Sequence, residues 1–469
     1  MELALVKEAL VVGLGISGQA AAGKLLREGK QVVVNDLSIS APVEKAAAEL
    51  ARKGAKAALG HHDFTLLEGT DLVVVSPGVA GNLPLLTEAR SRGIPVWSEI
   101  ELAWRFARGP VIAVTGTNGK TTTVSMIESI LKQAGRPAVA AGNIGFPLVK
   151  AVEEADEGDV LVVEVSSFQL AYIEDFRPDV AILLNIAEDH FDWHDHMGEY
   201  IEAKSRIWMN QGEGDLVVTN LDDPLCVQAA AQTPSRRAFF SKNAGGQAAT
   251  YLKNGIIFSY IDNGGSQQSR PIIEVHDMKL VGGHNLENAM AAASAALVLG
   301  VSPEAVKLAL RDFAGLEHRL QLVAETGGIK FYNDSKATNP HATMRALSAF
   351  EQPLLLILGG RNKGLDFKDL ATEVAARWSA GGIRIVYAIG EAGPEIKQAL
   401  TAVSPHIETS LLAELEEVFE EISSKALPGD VILFSPACAS FDRYENYKQR
   451  GKHFQLLVGQ YSREEGSHG

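Results

Sequence analysis

The chain has 469 residues, 46% of them hydrophobic and 22% charged, an ordinary globular balance on a length that suggests about two to four domains rather than one core. Its formal net charge of -15 leaves no basic excess to neutralise a phosphate backbone, which argues against a general nucleic-acid binder. Cys226 and Cys438 are the only cysteines, too few for a disulfide framework or a cysteine zinc site. No stretch approaches membrane-spanning length, and the start MELALVKEALVVGLG reads as a first strand rather than a signal peptide. The expected setting is cytoplasmic, with no nucleic-acid or membrane partner.

In chain order, ALVVGLG opens a strand and a helical pattern follows through Leu25. QVVVND precedes a helix near Glu44 to Arg52, and DLVVVSPG one near Leu83 to Arg92. Strand and helix alternating in this way predict a parallel, doubly wound sheet, closing near EIELAWRFARGP at Gly109 and Pro110. Inside it Gly13, Gly15 and Gly18 spell G-x-G-x-x-G and Asp36 closes the second strand, the form of a dinucleotide site. A nicotinamide-dependent oxidoreductase is therefore one reading open at this point.

A second series, VIAVTG, DVLVVEVSS, VAILLNI and DLVVTN, is nearly all apolar, as strands covered on both faces should be. After VIAVTG come Gly116, Thr117, Asn118 and Gly119, and then Lys120 and Thr121 open a helix. Backbone N–H groups at such a helix start receive an anion; the lysine would reach terminal phosphates and the threonine hydroxyl would sit on Mg²⁺. The general phosphate-loop pattern has glycine where this chain has Val114. Glu164 ends an apolar strand of the same series; it reads as a Mg²⁺ ligand or as an ion-paired or capping carboxylate. A nucleotide-binding regulator without catalysis also stays open.

NIAEDHFDWHDHMGEYIEAKSRIW is the densest polar cluster, with His190, His194 and His196 among Asp189, Asp192 and Asp195. Mixed ligands beside a nucleotide loop suit Mg²⁺ with at most one histidine better than zinc, and most of these side chains read as solvated. On its charge alone Lys204 reads as a surface ammonium, since a metal cation repels it. Between about Gln232 and Gly283 the runs become short and polar-interrupted, which predicts a small antiparallel element or an insertion. HNLENAMAAASAALVLG is a helix with Asn285 and Asn288 on one face. A third series follows GLEHRLQ: IKFYNDS, PLLLILGG, IRIVYAIG and DVILFSPACAS. The last residues, SREEGSHG, are polar and expected to fray. The predicted fold is α/β with three domains: an N-terminal Rossmann-like domain (1–108), a central P-loop ATPase-like parallel sheet (109–315) and a C-terminal Rossmann-like domain (316–469).

The shorter loop TGTNGKTT resembles that of the Mur ligase family, the ATP-dependent amide ligases of peptidoglycan precursor synthesis. GLEHRLQ, YNDSKATNP, LILGGRNKG and SPACASFDRYENYKQRG look like signatures of its D-glutamate-adding branch. Asp334-Ser335-Lys336-Ala337-Thr338-Asn339 stands where other members usually carry D-Y-x-x-x-P. The resemblance implies ATP and two Mg²⁺ as cofactors, and UDP-N-acetylmuramoyl-L-alanine and D-glutamate as substrates joined through an acyl phosphate by a monomeric enzyme.

It also implies roles. Gly116, Thr117, Asn118, Gly119, Lys120, Thr121 and Thr122 would hold the nucleotide phosphates, with Asn285 and Asn288 near adenine. Arg319 would meet phosphate and Asp334 ribose. Thr121, Glu164, His190 and a carbamylated Lys204 would bind metal; Lys120, Glu164, His190 and Lys204 form the catalytic set. Ile16 and Ser17 would meet the diphosphate of UDP and Asp36 its uridine end, with Ser76, Gly78 and Asn143 on the same substrate. Lys336, Thr338, Lys363, Ser440 and Phe441 would hold D-glutamate, beside Tyr447 where the family often has Phe.

Overall fold

The computed structural model describes residues 2–143, 145–187, 196–243, 248–262, 267–280, 282–362 and 364–466. The apolar runs and the helices between them build three sheets, of five, nine and six strands. They lie in two compact units: the residues up to Met278 with His284–Phe313, and Lys279–Gly283 with Ala314 onward.

In the first sheet the spatial order is Lys56–Leu59, Gln31–Asp36, Glu8–Val12, Leu72–Val75 and Val96–Ser98, all parallel. Two of these, Lys56–Leu59 and Val96–Ser98, lie at the edges and carried no sequence signal, because a short edge strand needs neither a long apolar run nor alternation. The first strand in the chain is flanked on both sides by later ones, so the sheet winds outward in two directions from it. That reversal opens a crevice at the carboxyl ends of the strands, the usual ligand position in such sheets.

The nine-stranded sheet runs Ala138–Gly142, Val160–Glu164, Val111–Thr115, Val180–Leu183, Leu216–Asn220, Arg236–Ser241, Thr250–Lys253, Ile256–Asp262 and Gln267–Glu274. Its parallel part has a second reversal at Val111–Thr115. Every residue of Val111–Thr115, Val160–Glu164 and Val180–Leu183 is buried, as the unbroken apolar runs require. The antiparallel element expected in 232–283 exists, but as an extension of this sheet: Thr250–Lys253 pairs parallel with its neighbour and then antiparallel with Ile256–Asp262, which pairs with Gln267–Glu274.

The sheet of the second unit runs Gln321–Thr326, Ile329–Asn333, Val431–Phe434, Leu354–Gly359, Ile383–Ile389 and Thr409–Leu412, parallel except for its first pair. The polar tail does not begin where expected. Helix Tyr447–Gly466 carries the backbone through Ser462 to Gly466, and the remaining residues lie outside the described set.

Two buried glutamates join the first sheet to the central one. Glu101 is fully buried and accepts the N–H groups of Glu174, Asp175 and Phe176 at 2.9 to 3.2 Å, with Arg105 bonded to its other side. Backbone donors and a guanidinium together meet the charge that burial would otherwise strand. Glu99 accepts the N–H of Val149 at 2.7 Å, while its Oε2 is buried with no hydrogen-bond partner among the described residues.

Burial pushes the Glu99 carboxyl up from its ordinary 4.5 to about 7, against the pull of the Val149 and Leu148 N–H groups. Between these values the folded chain keeps a proton that the unfolded chain gives up. The stability this contributes is complete below about pH 4.5 and lost as pH rises through about 7. Glu99→Gln should flatten the slope and exceed the parent in unfolding free energy at pH 8 by up to about 3 kcal/mol. Identical pH slopes in calorimetric unfolding of the two proteins would refute this.

Candidate active site

At the first reversal, helix Ile16–Arg27 starts directly from the glycine turn. A side chain at Gly18 would place Cβ 1.8 Å from the Gly13 carbonyl oxygen, whereas one at Gly15 would meet nothing within 4 Å. Gly18 lets the helix sit against the turn, and Gly15 faces open space where a ligand can approach the backbone. Asp36 receives the Leu14 N–H at 2.7 Å, and Ser76 Oγ donates to the Gly13 carbonyl at 3.0 Å. A cavity of about 590 Å³ lies here, lined by Gly15, Ile16, Ser17, Asp36, Ser76 and Gly78 and, from the central sheet, Asn143. Leu37 and His62 line it too. His62 was not singled out in the sequence; its ring nitrogen lies 2.6 Å from Oδ1 of buried Asn35, a pairing across 27 positions that spacing does not reveal.

At the second reversal, the strand Val111–Thr115 feeds the loop and helix Lys120–Gln133. Val114 is wholly buried and paired with Glu164 and Ile182 in register, so the strand simply continues where the general pattern has its first glycine. Gly119 caps the helix with φ of 85°, and a Cβ there would stand 2.1 Å from Asn288 Oδ1. Asn288 in turn accepts from Thr123 Oγ1 and donates to Asn285, both at 3.3 Å. The two asparagines of helix Gly283–Val298 are thus buried against the loop and its helix.

Lys120 Nζ donates to the carbonyls of Gly116 at 2.8 Å and Thr117 at 3.0 Å. Thr121 Oγ1 donates to Glu164 Oε2 at 2.6 Å, and Asn143 Nδ2 to Glu164 Oε1 at 3.2 Å. The N–H groups of Thr117 and Asn118 are turned to Asn185, at 3.0 and 2.9 Å. Asn118 Nδ2 is buried without a hydrogen-bond partner among the described residues, and Thr122 is buried in the first turn.

The surface reading of Lys204 from its charge is overturned. It is 2% exposed, and its Nζ donates to the Gly116 carbonyl at 3.0 Å. One turn earlier on the helix Met197–Ser205, fully buried Tyr200 puts its hydroxyl 3.2 Å from Thr117 Oγ1. Lys120 and Lys204 share one carbonyl oxygen, so their nitrogens are at most about 6 Å apart. Two ammonium groups this close repel unless an anion joins them or one loses its charge. His190, His194 and the aspartates Asp189, Asp192 and Asp195 lie outside the described residues; His196 caps the helix, accepting from Glu199 N–H at 3.1 Å. No group of three or more His, Cys, Asp or Glu arranged for a metal occurs among the described residues. The Thr121 hydroxyl and Glu164 carboxylate form a pair of hard oxygens of the kind Mg²⁺ takes.

In the second unit, buried Asp334 follows the strand Ile329–Asn333 and accepts from Ser435 Oγ at 2.8 Å and Leu320 N–H at 3.2 Å. Burial pushes its carboxyl up to about 7, opposed by these bonds and by the charges of Arg319 and Arg450. Arg319 sits between two residues in left-handed conformation, His318 and Leu320. Lys336 Nζ stands 3.5 Å from the Tyr447 hydroxyl. Thr338 is half-buried, Ser440 is buried and Phe441 is exposed; Lys363 lies outside the described residues. Buried Arg450 was not foreseen: it donates to Ser335 Oγ at 3.0 Å and to the Ser335 carbonyl at 2.8 Å, clamping the segment between Asp334 and Lys336. Its place in the polar run YENYKQRG gave no sign of burial.

Three α/β sheets, a glycine turn and a shortened phosphate loop describe a nucleotide-handling α/β protein, and comparison narrows the class. Residues 7–98 match the Mur ligase MurD-like N-terminal domain, 114–296 the Mur ligase middle domain and 318–438 the Mur ligase glutamate ligase domain. The chain belongs to the Mur ligase family. It is 41% identical over 453 residues, 96% of each chain, to UDP-N-acetylmuramoylalanine--D-glutamate ligase of Acidobacterium capsulatum. It is 40% identical to that of Koribacter versatilis over 463 residues, 98% of each chain. Among solved structures, MurF ligase from Thermotoga maritima in complex with ADP shares the fold across 100% of both chains, at a TM-score of 0.61 and 18% identity. UDP-N-acetylmuramate-alanine ligase from the same organism does so across 97% of this chain and 99% of its own, at 0.57 and 20%.

Gly119→Ala should lower the unfolding temperature, through its left-handed backbone, which costs roughly 1–2 kcal/mol, and through collision with Asn288 Oδ1. Adding Asn288→Ala should recover part of the loss in differential scanning calorimetry. Strict additivity of the two substitutions would show that the contact is unimportant.

Proposed function

We propose that the chain joins D-glutamate to UDP-N-acetylmuramoyl-L-alanine at the expense of ATP, giving ADP and phosphate. The Mur ligase family catalyses ATP-dependent amide ligation of peptidoglycan precursors. The observation that carries the reading to this chain is Asn143. It lines the glycine-turn cavity and also bonds Glu164, which bonds Thr121 of the phosphate loop. A substrate held by its diphosphate at Gly15 to Ser17 would extend toward the nucleotide end. That accounts for two glycine loops in one unit, which a nicotinamide oxidoreductase leaves unexplained.

In this reading residues 1–108 take the UDP substrate, 109–315 the nucleotide and 316–469 the amino acid, with a single chain as the working unit in the cytoplasm. The substrate carboxylate attacks the γ-phosphorus and displaces ADP as the bond to the β,γ-bridging oxygen breaks; the D-glutamate amine then adds to the acyl phosphate, and the tetrahedral centre loses the amine proton and expels phosphate as the amide forms. The N–H groups at the start of helix Lys120–Gln133 and the Lys120 ammonium stabilise charge on the transferred group. Asn285 and Asn288 border the nucleotide, and Arg319 and Asp334 meet its phosphate and ribose. Thr121, Glu164, His190 and carbamylated Lys204 would hold two Mg²⁺, which when bound would supply electrostatic stabilisation to phosphoryl oxygens. Lys336, Thr338, Lys363, Ser440, Phe441 and Tyr447 receive the two carboxylates of D-glutamate, which needs cations and donors to be bound. Carbamylation answers the crowding of Lys120 by Lys204: it replaces one of two neighbouring ammonium groups with an anion.

The deciding assay mixes ATP, Mg²⁺, UDP-N-acetylmuramoyl-L-alanine and D-glutamate and measures phosphate. Release should require both organic substrates, and no increase on adding D-glutamate would overturn the reading. For Lys204, protein equilibrated with ¹³C-bicarbonate should give a carbamate carbon resonance that Lys204→Arg lacks; a fully active sample without that signal would count against the modification.

A further inference from the structure

The loop between Thr115 and Lys120 is gripped by the segment that follows the neighbouring strand Val180–Leu183. Leu184 N–H bonds the Thr115 carbonyl at 3.1 Å, and Thr117 N–H bonds the Asn185 carbonyl at 3.0 Å. Ala187 N–H then bonds Thr117 Oγ1 at 3.0 Å. Between these, the Asn185 side chain makes a two-point bridge. Its Oδ1 accepts the Asn118 N–H at 2.9 Å, and its Nδ2 donates to the Asn118 carbonyl at 3.1 Å. A carboxamide carries an acceptor and a donor side by side, so it can satisfy the backbone N–H and C=O of one residue at once without a change of protonation state.

We propose that Asn185 is a positioning residue for the nucleotide loop, holding Asn118 so that its side-chain amide and the following helix-start N–H groups face the phosphates. The inference rests on the nucleotide reading of this loop. With Val114 continuing the strand, the loop lacks the first glycine of the general pattern, and neighbouring residues supply the constraint. The Thr117 and Asn118 N–H groups are taken by Asn185, so phosphate oxygens are left to the N–H groups from Gly119 into the first helical turn. Asn118 Nδ2, buried without a partner among the described residues, adds one directed donor, and its direction depends on the peptide that Asn185 grips.

The test compares the parent with Asn185→Ala and Asn185→Asp in steady-state kinetics, in ADP binding by calorimetry and in thermal unfolding. Loss of both hydrogen bonds in Asn185→Ala should raise KM for ATP about tenfold to a hundredfold. KM for UDP-N-acetylmuramoyl-L-alanine and D-glutamate should stay within about twofold. Asn185→Asp keeps the shape and one acceptor but sets an anionic oxygen against the Asn118 carbonyl and near the phosphates, so it should weaken ADP binding at least as much. Should Asn185→Ala fail to fold, the isosteric variant decides. Unchanged ATP KM and ADP affinity, or an equal rise in all three KM values tracking a lower unfolding temperature, would overturn the proposal. Absence of ADP binding by the parent would instead overturn the nucleotide reading, before any variant is compared.

Discussion

The first unit is organised around a carboxylate that burial would ordinarily forbid. Glu164 is 4% exposed at the end of a wholly buried strand, where an unpaired charge would be very costly. Each of its oxygens has a donor, Thr121 from the phosphate-loop helix and Asn143 from the turn after the strand Ala138–Gly142. One carboxylate therefore fixes the start of helix Lys120–Gln133 relative to the wall of the glycine-turn cavity. Each loop alone would suggest a separate ligand; Asn143, which lines the cavity at one and bonds the carboxylate beside the other, connects them.

Opposite this anion stands an excess of positive potential. Lys120 and Lys204 converge on the Gly116 carbonyl, and the start of helix Lys120–Gln133 adds the positive end of its dipole. Because these groups are buried or half-buried, water screens their mutual repulsion weakly. Such an arrangement is suited to a polyanion and its metal. The packing of Asn288 against Gly119 and of Tyr200 against Thr117 removes the freedom by which the loop could spread its charges apart.

What was legible in the sequence follows from what each feature depends on. The alternation of apolar runs with helices, the glycine turn and the VIAVTG loop are local, and they foretold the three sheets and the two strand-to-helix turns. Lys204 was not legible from its own chemistry: a lysine in a helix with polar neighbours reads as solvated, and only the tertiary arrangement brings it beneath the loop. Glu101 likewise lies in an unremarkable acidic run, while its partners are backbone N–H groups more than seventy positions away. Asn185 did carry a signal. It is the first polar residue after the apolar run VAILL, as Glu164 is after VLVV, and the same reasoning applied to VAILLNI would have singled it out.

A short segment explains how distant parts of this unit stay in register. After Glu164, Ser166 and Gln169 form a reciprocal cap that turns the chain, and residues 170–176 then receive anchors from two directions. Glu101, in the helix Glu99–Trp104 that follows the last strand of the first sheet, holds the N–H groups of Glu174, Asp175 and Phe176. Arg206, two residues past Lys204, donates to the carbonyls of Leu170 and Ile173 at 2.8 and 2.7 Å. Those bonds satisfy backbone groups that a buried loop would otherwise leave unpaired. The same contacts tie the sheet bearing the glycine turn, the strand bearing Glu164 and the helix bearing Lys204 to one stretch of chain. A shift of the glycine-turn sheet or of the Lys204 helix against this segment breaks its own buried hydrogen bonds to it, so the fold itself constrains the spacing of the cavity, the carboxylate and the lysine.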